Sequence, residues 1–80
     1  MAKKNGGETG ISLEQIGVRL KSLRKERYTN YENFAYENDL NRVQYGRYEN
    51  GNDMRMSTFL KILKALNVTP AEFFQEGFGK

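Results

Sequence analysis

Residues 31–51 read YENFAYENDLNRVQYGRYENG. Asn41 has the side chain of a helix N-cap, and Gln44 lies three residues on, where it closes a capping box. Leu40 and Tyr45 sit where a hydrophobic staple needs them. Tyr45 and Tyr48 lie three apart on one face, and Asn50-Gly51 ends the helix with Gly51 left-handed. Upstream, a helix starts at Thr29 or Asn30, turns Phe34 and Ala35 inward, and fades at Asn38-Asp39, both tolerant of turns. Small Ala35 lets two axes cross closely, and only Asn38 to Leu40 separates the two helices.

Working outward, the chain is punctuated as helix throughout. Ser12 with Gln15 forms a capping box, Ile11 and Ile16 a staple, and Leu13, Ile16, Leu20 and Leu23 a buried face. That helix is expected from Ser12 to Arg27. Downstream, Met56, Phe59, Leu63 and Leu66 repeat as a buried stripe, widened by Leu60 and Ile62, with Asp53 and Ser57 both suitable as its cap. Thr69-Pro70-Ala71-Glu72 is a second box with proline at the first helical position. Val68 and Phe73 are its staple, and Phe74 and Phe78 pack nearby. The expectation is an all-α fold of five helices without a strand, occupying residues 11–78. Residues 1–10, MAKKNGGETG, read as a flexible N-terminal tail.

Composition narrows the function. Eighty residues hold one small core and leave no room for a separate catalytic or effector domain. Cys and His are both absent, which removes thiolate zinc sites, disulfides and the commonest general base. No cofactor or metal is expected, nor any catalytic residue; Glu49 and Asp53, close in sequence, are expected to be solvated at a helix end and a loop. No apolar run approaches a membrane span and no signal peptide is evident, so the expected location is cytoplasmic. The net charge of +3 is modest, but Arg19, Lys21, Arg24, Lys25 and Arg27 crowd together, opposed only by Glu26. Such a run is either a solvated helix face or a phosphate-neutralising patch. Arg24 and Arg27 also suit a third use, pinning the first helix to later loops.

The two short helices have the spacing of a helix-turn-helix, and the stretch from Ile16 to Phe74 resembles the lambda-repressor-like, Cro/CI (XRE-type) DNA-binding domain. The matching pieces are IGVRLKSLRKER, ENFA, LNRVQYGRYENG and FLKILKALNVTPAEFF. The resemblance implies a five-helix domain whose third helix reads the major groove of double-stranded DNA. It places Arg42, Val43 and Arg47 at base edges, and Tyr31, Asn41, Gln44, Asn50 and Arg55 against the DNA backbone. It also implies a transcriptional regulator, a repressor, bound as a homodimer to a palindromic operator. Phe73, Phe74 and Phe78 suit an apolar dimer patch, though the first two suit core packing better. Family members that grip other proteins suggest the alternative of an antitoxin or protein-interaction module with a partner such as a toxin.

Three positions depart from the family pattern. Asp39 occupies the turn position usually held by Gly and must tolerate positive φ. Tyr31 stands where Gln often clamps a phosphate. Gly46 falls in the exposed middle of the third helix, where it either permits close approach to DNA or is merely tolerated.

Overall fold

Leu13–Lys25 forms the first helix, α1, in the computed structural model, which describes residues 11–78. The expected tail at residues 1–10 lies outside the described residues. Ser12 caps α1 by accepting from Gln15 N–H, and the Gln15 side chain accepts from Ser12 N–H, so both halves of the box are made. α2 (Tyr31–Glu37) starts at Asn30, whose side-chain Oδ1 accepts from the N–H groups of Glu32 and Asn33. α3 (Arg42–Glu49) is capped by Asn41, which accepts from Gln44 N–H. The expected return bond from the Gln44 side chain is not made, so only half of that box exists. α4 (Met56–Leu66) and α5 (Pro70–Gln75) follow, and among the described residues there is no strand.

Neither expected cap of α4 is used. Arg55 holds the cap position without a side-chain bond, while the Asp53 carboxylate accepts from Met54 N–H. At the far end Asn67 closes α4 in the left-handed region at φ 62°. Thr69 and Glu72 complete the box of α5 as the spacing predicts.

The core draws on every helix: Leu20 and Leu23 of α1, Phe34 and Ala35 of α2, Tyr45 of α3, Phe59, Ile62, Leu63 and Leu66 of α4, and Phe73 of α5. Burying each large apolar side chain contributes about 1.5–3 kcal/mol, so this cluster is the main stabilising element. Aromatic edges interlock within it, with Phe34 and Tyr45 centroids 5.0 Å apart and Phe59 and Phe73 5.1 Å apart. Leu13 and Met56, expected in the core, are exposed, because each lies on the first turn of its helix beyond the reach of the neighbouring elements. Leu60 is also half outside. Tyr28 packs edge-on against Phe34 and donates its hydroxyl proton to Glu37.

Two tethers join distant segments. The Arg19 guanidinium donates to the carbonyls of Phe73 and Glu72 at 2.8 and 3.0 Å, capping α5 from α1. Lys61 of α4 donates to the Asp39 carbonyl at 3.0 Å, tying down the turn between α2 and α3. Asp39 there has φ 59°, so the aspartate adopts the left-handed conformation that the missing glycine demanded.

Candidate nucleic-acid interface

The seat of α3 is built from three contacts, and two of its residues escaped sequence reading. Tyr45 is fully buried against Phe34 and fixes the inner face. Gly17 of α1 is buried where α1 meets the end of α3. A Cβ there would lie 2.7 Å from the Tyr48 carbonyl oxygen and 2.6 Å from that of Glu49, so only glycine allows this approach. An isolated glycine inside a helical pattern is the signal for such a crossing, since it lowers helix propensity without local benefit.

The third contact is an ion pair. Arg24 donates through Nε and Nη2 to the two Glu49 carboxylate oxygens at 2.9 and 2.8 Å, and through Nη1 to the carbonyls of Tyr28 and Thr29 at 3.0 Å each. Both side chains are almost wholly buried, at 4% and 6% exposure. The hydrogen bonds to Glu49 hold the Arg24 guanidinium above even its usual high range. Glu49 is therefore not the solvated helix-end charge expected, because Arg24 reaches across from α1 and covers it. The basic run of α1 is correspondingly thinner than its sequence suggests: Arg19 and Arg24 are engaged inside the molecule, and only Lys21, Lys25 and Arg27 stay exposed. Beside the ion pair the Tyr45 hydroxyl is buried without a hydrogen-bond partner. Burial, with the Glu49 carboxylate adding to it, pushes the phenol above the ordinary tyrosine range.

With its underside fixed, α3 turns the rest outward. Arg42, Val43, Gln44, Arg47 and Asn50 are exposed, Val43 at 63%. Among the described residues neither Arg42 nor Arg47 forms an ion pair. Asn41, whose Oδ1 caps Gln44 N–H, keeps its amide N–H groups for an external acceptor. Arg55 is exposed at the start of α4. Tyr48 is half-buried, packed edge-on to Tyr45 at 6.5 Å.

Gly46 differs from expectation. It is buried, not exposed, because the Tyr31 ring from α2 lies on it. Its missing side chain makes room for Tyr31.

The arrangement is an exposed short helix, rigidly backed, carrying guanidinium and amide groups toward solvent. Among the described residues no helix is long and apolar enough to cross a membrane. A family model described as helix-turn-helix, of the Cro/CI (XRE) type, matches residues 20–73, about two thirds of the chain. No curated protein and no solved structure matches it. The family model spans α2, the turn at Asp39, α3 and α4 with parts of α1 and α5, and the chain belongs to the Cro/CI-type helix-turn-helix family of DNA-binding regulators.

Proposed function

We propose that the chain is a sequence-specific transcriptional repressor that reads the major groove of a palindromic operator as a homodimer, with residues 11–78 as its DNA-binding domain. The observation that carries this reading is the outward face of α3, where Arg42, Val43 and Arg47 stand exposed above a buried Tyr45. In the groove each Arg donates two N–H bonds to guanine O6 and N7, and Val43 packs on a thymine methyl, each bidentate pair contributing roughly 1–3 kcal/mol of discrimination. Asn41, Gln44, Asn50 and Arg55 contact the backbone and set the register of α3. A single reading helix covers only about four or five base pairs, so two copies on half-sites about one helical turn apart supply the needed length.

Selection of bound fragments from random DNA, followed by gel-shift titration at rising salt, tests this. The expected result is a two-fold symmetric site whose affinity falls steeply with salt. Affinity equal for all sequences, or insensitive to salt, refutes it. A second reading, an antitoxin or interaction module gripping another protein, is favoured by one feature: Leu13, Met56, Leu60 and Phe74 line an apolar groove outside the core. Under that reading the double variant Arg42→Ala/Arg47→Ala keeps full activity in cells; under the first it loses it.

A further inference from the structure

Gly46 leaves a gap on the outward face of α3, and a residue from another helix fills it. A Cβ built at position 46 would stand 2.8 Å from Tyr31 Cε1, 3.0 Å from Cζ and 3.1 Å from Oη. These are atoms of the far edge of the ring, so the hydroxyl end of Tyr31 lies over α3. At about 100° per residue, position 46 projects between Arg42 and Val43 on the helix wheel. Both of those neighbours are exposed while Gly46 beneath the ring is buried. Tyr31 therefore stands where a side chain of α3 would stand.

The placement is held from both sides. Tyr31 is the first residue of α2, behind the doubly engaged Asn30 cap, and its ring lies 6.4 Å from that of buried Tyr45. Yet the residue is 37% exposed, so it is a supported surface group and not a core one.

We infer that Tyr31 is a specificity-determining residue of the reading surface, supplying from α2 the base-contacting side chain that α3 lacks at position 46. The inference rests on α3 being the DNA-reading helix, and it puts a base contact in place of the backbone contact that the resemblance implies for Tyr31. A phenol presents one O–H donor and an acceptor oxygen, so its ligand is a base-edge acceptor or donor in the major groove, next to the base pair facing Val43. Gly46 and Tyr31 act as a pair: any side chain at 46 displaces the ring and with it the hydroxyl.

The test uses the full chain, a site selected from random DNA by the wild-type protein, and an unrelated duplex of equal length. Tyr31→Phe keeps the ring on Gly46 and removes only the hydroxyl, so its thermal midpoint stays with that of the wild type. Its affinity for the selected site is expected to fall about 10-fold, while affinity for the unrelated duplex changes less than about twofold. Gly46→Ala reproduces that selective loss, and adding it to Tyr31→Ala causes no further loss. Equal loss on both duplexes assigns the hydroxyl to a phosphate and overturns the inference, as does no loss on either. Both of those outcomes leave the reading of α3 standing, whereas a wild-type protein that selects no site removes that reading too.

Discussion

Replacing Glu49 by Gln strikes the ion pair that fastens α3 to α1. Arg24 makes four hydrogen bonds, two to Glu49 and two to the carbonyls of Tyr28 and Thr29. The variant removes the countercharge and turns one acceptor oxygen into an N–H₂ donor facing a guanidinium. With the side chains only 4% and 6% exposed, water cannot take over. Breaking one partner of a buried pair costs about 3–5 kcal/mol. A domain of this size has a total stability of about 4–12 kcal/mol, so the loss is a large share of it. Since 1 kcal/mol shifts Tm by about 4–8 °C at this length, a loss of about 3 kcal/mol lowers Tm by roughly 12–24 °C. Circular dichroism melting and urea titration measure it, with the urea midpoint expected to drop by about 3 M for a slope near 1 kcal/mol/M. The double variant Arg24→Met/Glu49→Leu recovers most of the loss, because no lone charge is left buried. A Tm shift below about 4 °C for Glu49→Gln is the behaviour of an exposed pair and refutes the reasoning.

Gly17→Ala is expected to lower Tm, since overpacking costs about 1–3 kcal/mol while the gain in helix propensity is about 1 kcal/mol; an unchanged or higher melting point contradicts the close crossing at the Tyr48 and Glu49 carbonyls. Asp39→Gly relieves a left-handed non-glycine residue and should raise Tm by a few degrees, the strain relief of about 1–2 kcal/mol being partly offset by the glycine entropy cost of about 0.5–1 kcal/mol. Tyr45→Phe removes a buried hydroxyl without a partner and leaves Tm at neutral pH equal or slightly higher. Because the folded phenol titrates above its unfolded value, the unfolded chain releases that proton first, and stability is lost as pH rises past about 10. Melting curves between about pH 9 and 11 should therefore decline less steeply for Tyr45→Phe than for the wild type.

Much of the fold was legible from local signals. The capping boxes at Ser12 and Thr69 and the left-handed residues at Asp39 and Gly51 need only neighbours within a few residues, and each stands in the structure as read. Failures came where a partner lies far along the chain. Glu49 looked solvated because nothing nearby in sequence announces Arg24, twenty-five residues upstream. Gly46 looked exposed because helical projection within α3 cannot see Tyr31 arriving from α2. Met56 and Leu13 obeyed the periodic pattern yet stayed outside, since periodicity assigns a face and not the depth of its first turn. The start of α4 was illegible for a different reason: its N-cap makes no side-chain bond at all.

The contacts that seat α3 run through Gly17, Arg24, Tyr45 and Glu49, whereas Arg42, Val43 and Arg47 are exposed. Within α3 the anchoring residues, Tyr45 and Glu49, are thus distinct from the outward ones. Exchanging the outward three for other polar or apolar side chains is expected to leave the scaffold's melting point nearly untouched and, on the proposed reading of α3, to change which sequence is recognised. On that reading the scaffold is retargeted one residue at a time, with each intermediate still folded.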